Sequence, residues 1–514
     1  MAALSTGEVY IGYTEEARLW DFYLSSYEAP LTVYANNYLI RNEKESDTEY
    51  NNRIEGSHRK NNCKYIVNLL NAYLFKDKPS RIAHDEISKK LFGRFEKDAD
   101  GKGTNLNQFM RRVDRYASAL GRVYVVMDRK NLPDGEKTGT HRDNLMSKHY
   151  AYMVYPQQVK KVAFDDFENI KWCVIEEAYY NDDDPFDSES LIKQYRYRLW
   201  TDNEWYLFND DDLSEPVESG KHNLGICPCF YVDGEDGVSR YNGQSLIGDI
   251  SYIDKALFNN ESRLNQIIED QTFSQLCMPV QSVVYGEESG VDEAIEMSTK
   301  RVLLFDTSGG KYAAPVYISP DASQAEFILN YITKLTVQLY NSIGLQSEVG
   351  ESANSESGKA KAYDYSRLNS ILCSRAERLE TVEEKLLYCL SRWTDEKLHV
   401  EIKYPDDFDI RTLQNEIQYA QELALLRISD TFQKQIHKRV AKKALPKVSN
   451  KVWEDISHEI DISDPLIPTD VLFAEEKLVA NGDDNNSNEN HQDRLKKGKK
   501  GGNLRKDQTK VDNL

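Results

Sequence analysis

One segment of the sequence has the residue types that open a calcium-binding loop, Asp98-Ala-Asp-Gly-Lys-Gly103. Carboxylates at the first and third positions of such a loop supply the oxygen ligands that Ca²⁺ prefers. The fifth position is Lys102, however, and the twelfth is Phe109, where an EF-hand needs a bidentate glutamate. The segment therefore begins a calcium loop without completing it, and we predict no metal site there.

A second segment, Ser357-Gly-Lys-Ala360, has the adjacent glycine and lysine of a phosphate-binding loop. A Walker A loop also needs a glycine five positions before its second glycine, and a Ser or Thr hydroxyl for Mg²⁺. Ala353 occupies the first of these positions and Ala360 the second. We therefore predict no ATP binding and no other cofactor.

The remaining reactive residues are too scattered to form a recognisable catalytic site. The nine histidines include no His-Glu-x-x-His pair, and no Gly-x-Ser-x-Gly elbow is present. The seven cysteines are dispersed, and only Cys227 and Cys229 are close together, with His222 nearby. An odd, dispersed set argues against a disulfide framework, and zinc-finger spacings are absent. The sequence indicates a structural role for these residues and no catalytic residues.

Long amphipathic helices dominate the middle of the chain. Apolar residues three or four positions apart fall on one helical face. This pattern predicts helices over 241–275, over 319–344 after a Ser319-Pro320 start signal, and over about 358–395. Their stripes are Leu246, Ile250, Ile253, Leu257, Leu264 and Ile268; Ala325, Ile328, Ile332, Leu335 and Leu339; and Leu368, Leu372, Leu379, Val382, Leu386 and Leu390.

Strands are predicted on both sides of the first long helix. Residues 279–285 and 301–305 are rich in β-branched and aromatic types and are punctuated by glycines, which indicates a small α/β insert between the first two helices. Earlier in the chain, Tyr195–Leu199 alternates polar and apolar residues and returns through Trp205–Phe208 as a hairpin. The predicted fold class is α+β.

The sequence of the C-terminal region predicts helices followed by a polar tail. Leu413, Ile417, Ala420 and Leu423 form one stripe, and Asp430 with Gln433 is predicted to cap a second helix that Pro446 ends. From Asn481 the chain is polar and then basic, which is typical of disorder. The basic tail could touch DNA or a scaffold, or it could simply be a solubilising end.

Composition is that of a globular protein with an acidic surface. The chain has 514 residues, 40% hydrophobic and 29% charged, and a formal net charge of -20. No apolar run approaches the ~18 residues that a membrane helix needs, and the first residues lack the pattern of a secretion signal. We therefore expect no membrane association and a location in the cytoplasm until the chain is assembled into a larger structure.

Several short segments, taken in their order along the chain, resemble the portal proteins of tailed bacteriophages, specifically the head-to-tail connector family of siphophages of Gram-positive hosts. The resemblance covers about residues 45 to 465. The similar segments are Tyr50-Asn-Asn-Arg53, Tyr65–Leu70, Tyr73–Pro79, Ser357–Ala360 after an acidic polar loop, and Leu425–Thr431 with Glu454 and Glu459 beyond it.

The resemblance implies a portal fold assembled as a ring, usually a dodecamer, with an α/β wing, a two-helix stem, a small α/β clip, a long kinked helix and an α-helical crown. The implied parts are an N-terminal extension at 1–44, the wing at 45–240, stem helices at 241–275 and 319–344, the clip at 276–318, a tunnel loop at 345–357, a long wing helix at 358–395, a wing strand at 396–410, the crown at 411–470 and a flexible tail at 471–514.

The resemblance also implies a function without enzymatic activity. A portal sits at one vertex of the viral capsid, and double-stranded DNA is packaged and ejected through it. The implied partners are other copies of the chain, the DNA, the terminase large subunit, a head-completion or adaptor protein, and the major capsid and scaffolding proteins. The implied location is the virion, with the host cytoplasm during assembly.

Two alternatives stay open: another phage structural protein, such as an adaptor or scaffold, and an enzyme on an unfamiliar α+β fold.

Two sets of residues are expected to carry this function. An acidic wall lets DNA slide because it repels phosphates, so the loop and the start of the next helix are expected to face the channel, unless the loop is simply solvated. Ring closure needs apolar residues on a second face of the stem helices. The channel set is Glu348, Glu351, Ser355, Glu356, Lys359 and Lys361, and the ring-interface set is Tyr252, Phe258, Ile267 and Phe273.

Overall fold

The fold is α+β, as predicted. The computed structural model describes residues 13–129, 149–180, 193–210, 213–271, 275–279, 303–305, 316–318, 323–345, 358–406, 408, 429–445, 448 and 450–462. Contacts divide the chain into two compact units, Met1–Asp409 and Ile410–Leu514, and each is considered by itself below. No helix among the described residues is both long and apolar enough to cross a membrane.

The described part of the first unit begins with four helices, and most of its strands lie between the sixth and seventh helices. The helices are α1 Tyr13–Glu28, α2 Leu31–Tyr38, α3 Asp47–Gly56, α4 Asn62–Leu74, α5 Glu86–Lys97, α6 Leu106–Leu120, α7 Gly248–Gln271, α8 Ser323–Ser342 and α9 Gly358–Thr394. The strands are β1 Ser80–Ala83, β2 Arg122–Arg129, β3 His149–Val154, β4 Val159–Phe164, β5 Ile170–Tyr180, β6 Lys193–Trp200, β7 Glu204–Asn209, β8 Glu218–Lys221, β9 Cys229–Asp233, β10 Glu235–Ser239, β11 Asn242–Gln244, β12 Gln275–Pro279, β13 Leu303–Phe305, β14 Val316–Ile318 and β15 Val400–Lys403.

Two antiparallel sheets, of three and five strands, contain most of the described strand residues of this unit. Strands β3, β2 and β9 make one sheet with β2 in the middle, and β4 to β8 make the other as a meander in chain order. The predicted hairpin is present as β6 and β7, with Trp200 opposite Trp205. The first six residues of β2 are buried, because helices and a second sheet cover this strand.

One large hydrophobic core joins the helices to the first sheet. Val67 on α4, Val113 on α6, Val125 on β2 and Leu386 on α9 belong to the same buried cluster. Helix α6 leads directly into β2 through Gly121, whose φ of 89° favours glycine. A Cβ at this position would lie 2.5 Å from the carbonyl oxygen of Gly243. The tight turn therefore depends on glycine.

The first long helix begins later than predicted. The expected start was residue 241, but Asn242–Gln244 forms strand β11, which pairs with β10, and α7 begins at Gly248. The other two long helices are present: α8 spans Ser323–Ser342, and α9 spans Gly358–Thr394. The predicted Ser319-Pro320 start lies outside the described residues. Gly344, with a φ of 73°, follows the end of α8 as predicted.

A small sheet lies between α7 and α8 in the sequence. Strand β12 is its centre, with β13 parallel on one side and β14 antiparallel on the other. Of the first predicted strand, 279–285, only Pro279 is described, as the last residue of β12, and the rest of that prediction lies outside the described residues. The second, 301–305, corresponds to β13.

The second unit contains two described helices, α10 Asp430–Ala444 and α11 Asn450–Ile462. They are joined by an ion pair of 2.7 Å between Lys438 and Asp461. The N-cap of α10 is Ser429, whose hydroxyl accepts a hydrogen bond from the Phe432 amide at 3.1 Å, so the predicted cap at Asp430 is wrong by one residue. Residues of the predicted stripe at 413–423 lie outside the described part.

Candidate subunit interface and channel surface

Helices α7 and α8 pack side by side and run in opposite directions. At one end, the Tyr340 hydroxyl donates to Asn62 at 3.4 Å, and the Asn62 amide donates to Asp254 of α7 at 2.8 Å. At the other end, Gln275, just after α7, pairs with Ile318, just before α8. The small sheet therefore lies at the end of the α7/α8 pair that is farther from Asp254.

Buried polar contacts fix the first half of α7 to the core. Asp254 is 1% exposed and accepts from Arg59 at 2.6 Å. The Arg59 guanidinium lies over the Tyr34 ring, 3.5 Å from its centroid, which is the geometry of a cation–π contact. Asn259 accepts from the Ile40 amide at 2.8 Å and donates to the Tyr38 carbonyl at 3.1 Å. This half of α7 has little freedom to move independently of α2 and α4.

The exposure of apolar side chains rises toward the small sheet. On α8, Leu335 and Leu339 near the C-terminal end are buried. Near the N-terminal end, Phe327 is 73% exposed, Leu329 54% and Tyr331 43%. Ile268, at the matching end of α7, is 51% exposed. Large apolar side chains grouped in this way on a surface mark sites of interaction.

The exposed residues of α8 lie on two different faces of the helix. Phe327 and Tyr331 are four positions apart and share one face. Leu329, two positions from each of them, points to the other side, and the stripe of Ile328 and Ile332 lies between. Two distinct apolar faces are what a head-to-tail contact between identical subunits requires, because the front of one copy meets the back of the next.

The four residues predicted for the ring interface differ in how exposed their side chains are. Tyr252 is 52% exposed, and its ring lies 5.0 Å from that of Phe22. Ile267 is partly exposed, and Phe273 lies outside the described residues. Phe258 is 1% exposed and packs edge-on against Tyr34 at 5.4 Å. Because Phe258 is buried inside its own chain, it has no surface for a neighbour, and its assignment to the interface was wrong.

The exposed residues of α8 were not among those predicted from the sequence, because the predicted second-face residues lie only on the first long helix. Phe327, Leu329 and Tyr331 likewise fall outside the predicted stripe of 323–342. The signal was therefore present in the sequence.

The predicted channel residues lie mostly outside the described part. Glu348, Glu351, Ser355 and Glu356 precede α9 and are not described. Lys359 and Lys361 lie in the first turn of α9, and their side chains are also outside the described part. The structure describes the contacts that attach α9, the helix that follows this loop, to the core of the first unit.

Two buried ion pairs hold α9 against the core. Arg375 donates two hydrogen bonds to Asp114 of α6, at 3.0 and 2.6 Å, and both side chains are 4% exposed. Eight residues along the helix, Glu383 accepts two from Arg81 of β1, at 2.8 and 2.6 Å. Bidentate ion pairs of this kind fix the relative orientation of the two side chains as well as the distance between them. Helix α9 is thus a rigidly placed element that begins where the candidate channel loop ends.

The Glu383 carboxylate also accepts a third hydrogen bond, from a residue that follows α9 in the chain. The Tyr404 hydroxyl donates to it, and Tyr404 lies directly after β15. Strand β15 pairs with β1, so Arg81 and Tyr404 approach Glu383 from neighbouring strands. Burial, reinforced by the Glu383 charge, holds the pKa of Tyr404 well above its usual range. The hydroxyl therefore remains protonated and continues to donate.

Two of the motifs that resembled metal or redox sites have local structural roles. Asp100 accepts hydrogen bonds from the amides of Lys102 and Thr104, and Asp98 accepts one from Gly103. These carboxylates therefore stabilise their own loop. Cys227 and Cys229 are buried, and burial raises the pKa of both thiols, so both are held in the unreactive thiol form. Among the described residues, no three His, Cys, Asp or Glu side chains are grouped so that they could hold a metal ion.

Comparison with known proteins finds similarity only among solved structures, and it is distant. No protein-family model matches the sequence, and no curated protein matches it. Among solved structures, the chain is similar to one described as the neck of an empty GTA particle computed with C6 symmetry. The two share 10% sequence identity with a TM-score of 0.38, over 77% of this chain and 89% of the other. A TM-score of this size establishes neither a common fold nor a common function.

Proposed function

We propose that this chain is the portal protein of a tailed bacteriophage. Twelve copies would form a ring at one vertex of the capsid, and double-stranded DNA would pass through the ring during packaging and ejection. The observation that carries the proposal is the α7/α8 pair. Its two helices are anchored to the core at one end, carry a small sheet at the other, and expose apolar side chains on two faces of α8.

Ring formation would bury those exposed side chains. Phe327 and Tyr331 on one face and Leu329 on the other would meet different surfaces of the two neighbours, with Tyr252 and Ile267 on α7 as further contacts. Burying a large apolar side chain contributes about 1.5–3 kcal/mol, so a few such contacts repeated at every interface would stabilise a closed ring. Phe273 remains part of the proposed interface, whereas Phe258 does not.

The channel surface would be formed by the loop at 345–357 and the start of α9. Glu348, Glu351 and Glu356 would repel phosphates so that DNA slides without being held, while Ser355 adds a neutral hydroxyl and Lys359 and Lys361 limit the repulsion. The buried pairs on α9 would keep the start of this helix at a constant place while DNA moves past it. A cryo-EM map of the ring with this loop outside the lumen would contradict the assignment.

In this proposal the chain does no chemistry itself. The phosphate-loop motif fails at Ala353 and Ala360, so the energy for packaging would come from a partner ATPase, the terminase large subunit. That motor would dock on the small sheet between α7 and α8, and a head-completion or adaptor protein would replace it afterwards. Capsid and scaffolding proteins would surround the ring in the virion.

The decisive measurement is the assembly state of the full chain. Native mass spectrometry and negative-stain images should show a closed ring with the mass of about twelve copies of a 59.3 kDa chain. Replacing Phe327 and Leu329 together by serine should shift the population from rings toward single chains. The circular dichroism of the variant and the unfolding of dilute single chains should match the wild type, because both residues are exposed in the single chain.

A matched control uses an exposed aromatic residue elsewhere. Phe167, in the turn between β4 and β5, is 85% exposed, and Phe167→Ser should leave the rings intact. A wild-type chain that forms rods or binds a preassembled ring from outside would favour an adaptor or scaffold. Nuclease or ATPase activity that disappears when one carboxylate is mutated would favour an enzyme.

A further inference from the structure

A cavity of about 740 Å³ lies beside α9, in a part of the first unit that the proposed ring interface does not use. Its walls come from the β4–β5 turn, from the segment that leads into β9, and from α9. Aromatic rings are prominent among them: Phe164, Phe230, Tyr231 and Tyr388. A cavity of this size, partly apolar and partly open, has the dimensions of a ligand or peptide site.

Lys385 is the unusual charge in this cavity. Its side chain is partly buried, and it forms no hydrogen bond or ion pair with the described residues. Burial lowers the pKa of its ammonium group, and the nearby charge of Asp165 only partly offsets this. The Asp165 carboxylate already accepts hydrogen bonds from the Phe167 and Asn169 amides, at 2.9 and 2.8 Å. A half-buried cation without a partner is stabilised when an anion binds beside it.

Other charges around the cavity are better solvated. Asp166, Asp202 and Glu384 lie at exposed positions, and so does Lys171. Exposed charges interact weakly with a bound ligand because water and salt screen them. Lys385 is therefore the group whose charge a ligand can best compensate, and the aromatic walls favour an apolar or aromatic side chain next to that anion.

The start of α1 lies close to this cavity. Glu16 interacts with Asn242, and the ring of the adjacent Tyr241 lies 5.6 Å from Phe164 on the cavity wall. Tyr13 is anchored near the beginning of β4, where its hydroxyl accepts from Lys160 at 2.9 Å. From Lys160 to Phe164 the strand advances only ~13 Å. The chain before Tyr13 therefore begins within a short distance of the cavity.

We propose that residues 8–11 of this chain, Glu-Val-Tyr-Ile, dock in the cavity, with the Glu8 carboxylate on Lys385 and the Tyr10 ring among Phe230, Tyr231 and Tyr388. The five residues from Glu8 to Tyr13 extend to ~17 Å, which is enough to reach along β4. The segment supplies one anion and one aromatic group, the two features that the cavity favours. The docking does not depend on the portal assignment.

Photo-cross-linking of the full chain tests this docking. Tyr10 is replaced by the photoreactive p-benzoylphenylalanine, the chain is irradiated, and cross-linked peptides are identified by mass spectrometry. We expect cross-links to residues 225–231 or 381–388. Lys385→Glu and, separately, Glu8→Lys should each lower the yield about threefold to fivefold, which is the effect of losing one partly exposed ion pair. Combining Glu8→Lys with Lys385→Glu should restore it.

Controls separate specific docking from accidental contact. Lys64→Glu on the exposed face of α4 should leave the yield unchanged. Glu8→Lys leaves the residues that line the cavity unchanged and so tests the contact even if Lys385→Glu impairs folding. Cross-links confined to other regions, or a double variant that fails to recover, would overturn the proposal and leave the cavity to another partner. Mixing chains with and without ¹⁵N shows whether a docked segment comes from the same chain or from a neighbour.

Discussion

Helix α9 and the first half of α8 are both amphipathic segments. They differ in how much of their apolar surface is buried by the rest of the chain. From Leu368 to Leu390 the apolar stripe of α9 is buried, and its internal charges Arg375 and Glu383 have buried partners. The first half of α8 leaves Phe327 and Leu329 more than half exposed. The apolar stripe of α9 is packed within the chain, whereas the first half of α8 still has apolar surface to bury.

The difference indicates that separate regions determine folding and assembly. Substitutions along α9 should change the free energy of unfolding of the single chain. Substitutions in the first half of α8 should change the association of chains and leave that free energy nearly constant.

Arg375→Met should destabilise the chain by about 3–5 kcal/mol, because it leaves the Asp114 carboxylate buried without its cation. Asn71 would remain as a donor to Asp114, at 2.6 Å, but it cannot neutralise the charge. Urea unfolding followed by circular dichroism measures the change. Glu377→Gln, at an exposed position of the same helix, should stay within about 0.5 kcal/mol of the wild type. Equal effects of the two variants would contradict the division.

Phe258→Ala should cost about 3–5 kcal/mol in unfolding free energy, since it removes a buried ring that packs against Tyr34. Phe327→Ala should change that free energy by less than about 0.5 kcal/mol and should act on assembly, because its side chain is 73% exposed. Chemical denaturation of dilute single chains and native mass spectrometry provide the two readouts. A stable Phe258→Ala chain that no longer assembles would show that Phe258 belongs to the subunit interface and not to the core.

The sequence predicts those parts of the structure that depend on local spacing. The stripes of α8 and α9 and the alternation at Tyr195–Leu199 are each visible within a short window, and the predicted elements are present. The burial of Phe258 depends on Tyr34, more than two hundred positions away, so the helical pattern alone assigned it to a free face. Likewise, the pair of Asp114 with Arg375 joins residues 261 positions apart, which no local pattern could reveal.

The buried region should also respond to pH through His222. Its ring lies 5.8 Å from Trp200 and 6.5 Å from Trp393 of α9. Burial lowers the pKa of His222 below its ordinary value, although the charges of Asp202 and Glu204 partly oppose this. The unfolded chain therefore binds a proton more readily than the folded chain at pH values just below about 6.5.

Unfolding free energy should accordingly fall as the pH drops through this window, by at most about 1.4 kcal/mol per pH unit from this one group. The slope is obtained from urea unfolding at a series of pH values between neutral and mildly acidic. In His222→Gln the slope should be smaller, while His399→Gln, at an exposed position, should keep the wild-type slope. An unchanged slope in His222→Gln would show that other groups cause the acid sensitivity.

The smallest effect is expected where an ion pair is exposed. Lys438 and Asp461 join α10 and α11 at 2.7 Å, the same range as the Arg375 pair, but the Asp461 side chain is 54% exposed. Water stabilises the separated charges almost as well as the pair does, so Lys438→Gln should cost only about 0.2–1 kcal/mol. The test is urea unfolding followed by hydrogen exchange at 430–462, with Lys442→Gln at an exposed position of α10 as its control. A loss as large as that of Arg375→Met would mean that distance, and not burial, determines the strength of these pairs.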